Sequence, residues 1–165
     1  MDLILFQPGD KKLIVDAGSS TRNHLSRLKK SVSNNDNLVF DPESCIELVS
    51  VHQGMKQKET SGNNSSRDSG PPVISNLTCV KYVDALSPSL YERCLEARPL
   101  DDGAAPCYIH FLRNSGDQLN LMMQCALFDV LISGIQFQSH PKDAATEQIQ
   151  LNFSKIQSIH QGQGA

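Results

Sequence analysis

The sequence contains no tryptophan, and aromatic residues make up only 5% of its 165 residues. A core built from this chain therefore depends on Leu, Ile, Val and Met. No segment is long and apolar enough to span a bilayer as a helix, and the start MDLILFQPGDKK lacks the basic region and long apolar run of a signal peptide. The net charge of −3 disfavours a nucleic-acid surface, which needs clustered Lys and Arg. We therefore expect neither nucleic-acid binding nor membrane insertion.

Catalytic and metal-binding motifs are also missing. The five cysteines include no CxxC spacing, which indicates reduced, buried thiols, and the five histidines have no partners at metal-ligand spacing. No HExxH, GxSxG, P-loop or GxGxxG occurs. The sequence therefore predicts no cofactor, no metal and no enzymatic activity. The only conceivable nucleophile is Cys94, with His110 as its base, and Cys94 lies on an apolar helix stripe where core thiols are common.

Most of the chain alternates like β-strands. Such runs occupy residues 1–7, 45–55, 74–83, 107–113, 118–139 and 147–159, with KKLIVD at 11–16 as another extended piece. The stretch LSPSLYERCLEARP predicts a helix, because Ser87 suits the N-cap and Pro88 the first turn. Shifts of apolar parity around Gly134 indicate a bulge. The last two runs are expected to form an antiparallel hairpin. Its packing face is expected to contain Leu131, Ile135, Phe137, Ile149, Leu151 and Phe153, and its other face Gln136, Gln138, Gln148, Gln150 and Asn152. These patterns predict antiparallel strands in a β-barrel or sandwich with one short flanking helix.

Two segments depart from the strand pattern. Residues 56–72 (KQKETSGNNSSRDSGPP) contain no large apolar residue, which predicts a long polar loop within a single domain spanning 1–165. In the other segment, 17–44, Leu25, Leu28 and Val32 recur at helical spacing, which indicates a short amphipathic helix before SVSNNDN ends it.

Four pieces of the sequence occur in an order typical of one protein family. They are CIELVSVHQGMKQ, ISNLTCVKYVDALSPSLYERC, LFDVLISGIQFQS and TEQIQLNFSKIQ, and together they cover residues 45–157. In this order they resemble the hemolysin-coregulated protein (Hcp) family, the tube subunits of bacterial type VI secretion systems. The chain departs from the family at 10–44, an insertion where the family usually has a short loop. It also ends at Ala165, where family members often add a strand.

The resemblance implies a mainly β fold, an antiparallel β-barrel of two sheets with one flanking helix. It implies homohexameric rings that stack into a tube inside a contractile sheath and carry effectors in the lumen. The implied partners are other copies of this chain and the type VI sheath, spike and effector proteins. The implied location is the bacterial cytoplasm before assembly, followed by secretion through the machine without a signal peptide.

The resemblance also nominates surface residues. The strand at 45–54 is expected to line the bore, with Ser50 and His52 facing the lumen. Alternation along this strand places Ile46, Leu48, Ser50 and His52 on one face. Contacts between subunits or rings are expected at Lys56, Gln57, Lys58, Glu59, Asn63, Asn64, Arg67, Gln136, Gln138, Gln148 and Gln150. Two other hypotheses remain open from the residues: a small β-barrel that binds a ligand, and a secreted effector enzyme that uses Cys94 or His110.

Overall fold

The computed structural model describes residues 2–10, 12–15, 44–53, 55–56, 73–74, 76–101, 105–115 and 118–160. The strands in these ranges are β1 (Asp2–Gln7), β2 (Ile46–Leu48), β3 (Ser50–His52), β4 (Met55–Lys56), β5 (Val73–Ile74), β6 (Leu77–Tyr82), β7 (Cys107–Ser115), β8 (Gln118–Phe128), β9 (Leu131–His140), β10 (Asp143–Asn152) and β11 (Lys155–His160). The helices are α1 (Lys12–Val15) and α2 (Ser87–Leu95). The polar loop and the amphipathic helix that the sequence predicts lie outside the described residues, apart from Lys56 and Ser44 at their ends.

The larger sheet has five antiparallel strands in the order β11-β8-β7-β1-β2. Its centre is the β7–β8 hairpin, whose register runs from the pair Cys107–Leu127 to the pair Ser115–Gln118. The register slips beyond Phe111, so that Met123 packs against the main core whereas Leu121 packs on the opposite face. Because of this bulge, apolar residues at alternate positions of β8 pack on both faces of the sheet.

The smaller sheet has four antiparallel strands in the order β3-β6-β10-β9. Gln150 pairs with Gly134, but the next residue, Leu151, pairs with Ile132. The slip confirms the bulge predicted at Gly134. It also places Ile132, only 5% exposed, in the core position that the alternation assigned to Leu131, which is 37% exposed. The expectation that Leu131 packs inward is wrong because the bulge inverts the parity of the strand.

Three runs predicted as single strands instead pass from one sheet to the other. They divide at Val49 between β2 and β3, at Asp129–Val130 between β8 and β9, and at Phe153–Ser154 between β10 and β11. In the first run, Ile46 and Leu48 are buried whereas Ser50 and His52 are exposed. The prediction that these four residues share one face is therefore wrong, because the chain changes sheets between them.

Two of these crossings lie side by side and are held by polar contacts. Asp129 has a φ of 54°, and the Asp101 carboxylate accepts the backbone N–H groups of Asp129 at 2.7 Å and Val130 at 2.9 Å. The Ser154 hydroxyl donates to the Asp129 carboxylate at 2.6 Å, and the Ser154 N–H donates to Phe128 O at 2.9 Å. Side-chain and backbone oxygens thus accept hydrogen bonds from N–H groups that have no partner strand at the crossings.

The main core lies between the two sheets and is closed at one side by α2. Its buried residues are Phe6, Leu13, Ile46, Leu48, Leu77, Cys79, Leu86, Leu90, Leu100, Cys107, Ile109, Cys125, Leu127, Val130, Ile132, Ile149, Leu151 and Phe153. A second cluster of Leu5, Cys45 and Leu112 lies on the other face of the larger sheet. The predicted mainly β fold, two antiparallel sheets with a flanking helix, is confirmed.

The described part of KKLIVD, Lys12–Val15, is helical rather than extended. It forms α1, whose first residue, Lys12, donates its N–H to the Asp10 carboxylate at 3.0 Å. Leu13 is 2% exposed and packs into the main core. Capping by Asp10 and burial of one apolar residue favour a short helix, although the apolar run LIV by itself is ambiguous.

The cap of α2 also differs from the prediction. Ser87 is the first helical residue rather than the N-cap. The Asp84 carboxylate accepts the Leu86 N–H at 3.0 Å, and the Ser87 hydroxyl accepts the Asp84 N–H at 3.0 Å. This reciprocal pair satisfies two N–H groups at the start of the helix, as a capping box does.

Candidate assembly surface

The outward side of the smaller sheet carries uncharged, mostly polar side chains. Alternation turns Val51, Cys79 and Ile149 toward the main core and their neighbours outward. We call this outward set the amide face. It consists of Ser50, His52, Thr78, Val80, Tyr82, Leu131, Gln136, Gln138, Thr146, Gln148, Gln150 and Asn152.

Strand pairing aligns these side chains across all four strands. Ser50 pairs with Val80, Val80 with Gln148, and Gln148 with Gln136. A second row starts at His52 and ends at the bulge in β9. Directly opposed side chains in an antiparallel sheet lie about 4.5–5.5 Å apart at Cβ. The rows therefore form one continuous surface rather than isolated polar positions.

None of the twelve residues of the amide face is Asp, Glu, Lys or Arg. Beyond Gln138, the outward His140 pairs with Asp143, so one carboxylate lies at the hairpin end of this side of the sheet. Its glutamines both donate and accept hydrogen bonds without carrying charge. At the bulge, the Ser133 hydroxyl donates to Gln150 O at 3.2 Å. A Cβ added at Gly134 would lie 3.3 Å from Gln150 Oε1, so glycine leaves room there for the glutamine side chain.

The sheet residues nominated from the sequence come together on this face. They are Ser50, His52, Gln136, Gln138, Gln148 and Gln150. The sequence assigned them to two surfaces, the lumen and the subunit contacts, whereas they share one. Of the loop residues, Lys56 lies in β4, where it pairs with Val73. The others lie outside the described residues: Gln57, Lys58, Glu59, Asn63, Asn64 and Arg67.

Five residues of the amide face were not assigned to it from the sequence: Thr78, Val80, Tyr82, Leu131 and Thr146. The signal was present in LTCVKY, whose alternate residues Leu77, Cys79 and Lys81 are buried. Strict alternation along this strand assigns the intervening residues to the outward side.

A buried ion pair beneath the amide face joins the smaller sheet to α2. Lys81 and Glu147 are register partners on β6 and β10, and their side chains are 1% and 0% exposed. The Lys81 ammonium donates to Glu147 Oε1 at 2.5 Å, to Asp84 Oδ1 at 2.9 Å and to Tyr82 O at 2.9 Å. The Ser87 hydroxyl donates to the same Glu147 oxygen at 2.9 Å. The start of α2 is thereby tied to two strands.

These charged residues stand within motifs that carry the family resemblance. Lys81, Asp84 and Ser87 belong to KYVDALSP, and Glu147 belongs to TEQIQLNF. Their geometry gives the motifs a structural explanation, because a buried charge left without its partner is strongly destabilising. The sequence signal for this pair was a lysine in one strand and a glutamate in another, each at a position where alternation predicts a buried apolar residue.

A second ion pair secures the other end of α2. Arg93 donates to Asp10 Oδ2 at 2.5 Å and to Pro99 O at 2.9 Å. Burial by itself would raise the pKa of Asp10, but hydrogen bonds from Arg93 and from the Lys12 N–H, together with the Arg93 charge, lower it below its ordinary value. The helix is thus held to the turn after β1.

The residues considered for catalysis are not brought together. Cys94 packs against the main core, whereas His110 is fully buried on the other face of the larger sheet. His110 Nε2 lies 3.0 Å from Gln7 Oε1, an acceptor, and Nδ1 lies 3.4 Å from Gln124 Nε2, a donor, so the ring is neutral with its hydrogen on Nε2. Burial lowers the pKa of His110 to about 3.

The cysteines have the character of core residues. All five are free thiols, four of them buried. Burial raises the pKa of Cys79 to about 12 and that of Cys107 to about 12, so both stay protonated and unreactive at neutral pH. Across the described ranges, no three His, Cys, Asp or Glu side chains are grouped to hold a metal ion. No helix there is long and apolar enough to cross a membrane.

The fold is shared with solved Hcp proteins. Hcp1 from Salmonella typhimurium aligns over 99% of this chain and 89% of its own, with a TM-score of 0.64 and 16% identity. Secreted protein Hcp3 from Pseudomonas aeruginosa aligns over 97% and 91%, with a TM-score of 0.62 and 15% identity. The sheath–tube complex of an extracellular contractile injection system, PVC, includes a chain that aligns over 95% and 88%, with a TM-score of 0.51 and 11% identity.

The sequence itself places the chain within this class. The family model "Type VI secretion system effector, Hcp" matches residues 40–160, well over half of the chain. The chain therefore belongs to the Hcp family of type VI secretion proteins, as the four sequence pieces predict. No curated protein sequence matches it.

Proposed function

We propose that this chain is a type VI tube subunit that assembles into homohexameric rings, with the amide face lining the bore. The observation that carries the proposal is the continuous uncharged face across the smaller sheet, in a chain of the Hcp family. Amide and hydroxyl groups keep such a wall hydrated without presenting charge to passing proteins. Ser50 and His52 are then lumen residues, together with the four glutamines.

The edges of the smaller sheet support closure into a ring. Within the described part of the chain, β9 and β3 are its two edge strands. The ten residues of β9, LISGIQFQSH, include no proline and no Asp, Glu, Lys or Arg. Edge strands of monomeric proteins are usually protected by such residues. An unprotected edge favours pairing with a second copy, and repeated head-to-tail contacts that close by rotation form a ring.

The rest of the assembly follows from family membership. Stacked rings form the tube, and the polar segment from Lys56 to Arg67 supplies contacts between rings. The sheath encloses the tube, the spike caps it, and effectors occupy its lumen. The protein assembles in the bacterial cytoplasm and leaves with the machine.

Ring formation is tested on the purified chain by native mass spectrometry and negative-stain electron microscopy. The expected result is a species of six copies and ring-shaped particles. A chain that stays monomeric at every accessible concentration contradicts the proposal, although it leaves the fold unaffected.

The position of the amide face is tested with a maleimide gold cluster attached to His52→Cys. In class averages of rings, the label is expected at the centre. The matched control is Gln157→Cys, because Gln157 is exposed on β11 of the larger sheet and its label should lie away from the centre. Both variants are made in a Cys94→Ala background, since Cys94 is the one half-buried thiol. Gold at the periphery for His52→Cys contradicts a bore-lining role.

A further inference from the structure

Two exposed apolar side chains and a half-buried tyrosine lie together on α2 and β9. Tyr91 stacks on Phe137 with ring centroids 4.8 Å apart and an interplanar angle of 25°. Leu95 follows Tyr91 by one helical turn on the same side of α2 and is 84% exposed. Phe137 is 55% exposed, although alternation places it on the packing side of its strand. We call Tyr91, Leu95 and Phe137 the aromatic strip.

The aromatic strip lies beside β9, an edge strand of the smaller sheet in the described part of the chain. Phe137 belongs to the edge strand β9 and pairs with Glu147 on its other side. Its side chain points to the core side of the sheet, opposite the amide face, since its neighbours Gln136 and Gln138 belong to that face. A strand added to this edge would therefore bring its own core-side residues against the strip.

The opposite edge of the same sheet carries a matching apolar residue. Val49 immediately precedes β3, and its N–H donates to Val80 O at 2.7 Å. It lies where the chain crosses from β2 to β3, and its side chain is 48% exposed. One edge thus offers the aromatic strip and the other an exposed apolar side chain.

The area of the strip favours a second copy over an independent partner. An aromatic side chain buries about 150–250 Å² when fully covered, so the exposed part of Phe137 offers about 100 Å². A stable interface needs about 800 Å² from each partner. The strip by itself is too small for this, so its partner must also pair with the adjoining edge strand β9. A second copy supplies such an edge in β3, the other edge strand of the same sheet in the described ranges.

We propose that the aromatic strip of one subunit packs against Val49 of the next subunit in the same ring. The contact is heterologous, joining two different surfaces, as closure of a ring requires. This inference rests on the ring assembly proposed above and names the residues that anchor it. Aromatic residues in the centre of an interface commonly carry most of its binding energy.

Photo-crosslinking tests which surfaces meet. Phe137 is replaced with p-benzoylphenylalanine, a conservative aromatic change, and single rings are irradiated. The expected product is a covalent dimer whose crosslinked peptide contains Val49. The control places the same group at Val83, an exposed apolar residue outside the strip, and should give no product with that peptide. Crosslinks that appear only in stacked tubes, or never reach a second copy, overturn the proposal.

A second measurement separates this inference from ring formation itself. Leu95→Ser and Val49→Ser each remove an exposed side chain, so the subunit fold should be unaffected. Each is expected to weaken ring association about tenfold, measured by sedimentation over a concentration series, with Val83→Ser unchanged. If the wild type forms rings and both variants associate as tightly as the wild type, the proposed contact is overturned but ring formation stands. A wild-type chain that never forms rings overturns both proposals.

Discussion

Removal of one partner of the Lys81–Glu147 pair is expected to destabilise the fold more than most single substitutions. In Lys81→Met, the side chain of Glu147, 0% exposed, loses the donor that lies 2.5 Å from its Oε1. Only the Ser87 hydroxyl then donates to that oxygen, and Glu147 Oε2 already lacks a hydrogen-bond partner in the described part of the chain. A buried carboxylate in this state costs about 3–5 kcal/mol.

The effect is measured by thermal and urea unfolding followed by circular dichroism. For a chain of this size, 1 kcal/mol lowers the midpoint temperature by about 2–4 °C, so Lys81→Met should lower it by about 6–20 °C. All proteins are compared at one subunit concentration, because ring formation would stabilise the folded state by mass action. Lys142→Met is the matched control, since Lys142 is exposed and should change stability by less than about 0.5 kcal/mol.

The double variant Lys81→Met/Glu147→Leu decides whether charge is the cause. Replacing a buried ion pair with apolar residues of similar size is often neutral or stabilising. The double variant should therefore recover most of the stability that Lys81→Met loses. The reasoning is refuted if Lys81→Met unfolds with the wild-type midpoint. It is also refuted if the double variant is no more stable than the single one, because loss of packing rather than an unpaired charge would then be responsible.

Three further predictions concern other buried groups. The pKa of His110 is lowered to about 3 in the folded chain, so the unfolded chain binds a proton at this residue first as the pH falls. The free energy of unfolding should therefore be highest above about pH 6.5 and lower by about 2 kcal/mol at about pH 5. Urea unfolding at a series of pH values should show this decline in the wild type and not in His110→Gln. Asp101→Ala leaves two backbone N–H groups without their acceptor and should cost about 2–6 kcal/mol by urea unfolding, whereas Asp101→Asn, which keeps an acceptor, should cost less. In Gly9→Ala, the added Cβ overlaps Ala105 O, so a loss of about 1–3 kcal/mol is expected; Gly134→Ala meets only the flexible end of a side chain and should change the urea midpoint little.

The fold class and most strands could be predicted from the sequence because alternation and turn residues are local signals. The hairpin of β9 and β10, the bulge at Gly134 and the helix after Asp84 are all visible in this way. The sheet crossings at Val49 and Asp129 were not visible. A strand that changes sheets keeps its extended backbone, so its sequence still alternates, and only the partner strand reveals the change.

The candidate site was partly predictable for a similar reason. Ser50, His52 and four glutamines were nominated from separate strands, and pairing through β6 and β10 joined them into one face. The prediction that Leu131 faces the core was wrong, because a one-residue slip in register reverses the direction of every side chain beyond it.

By itself, the sequence determined the family, the mainly β architecture and the polar character of two strands, because these depend on residue type and short-range spacing. Only the tertiary structure decided that the polar residues form a single face and that Lys81 meets Glu147 beneath it. It also placed exposed apolar side chains at both edges of one sheet. These features depend on register between strands distant in the chain, and register is set by how the whole core packs.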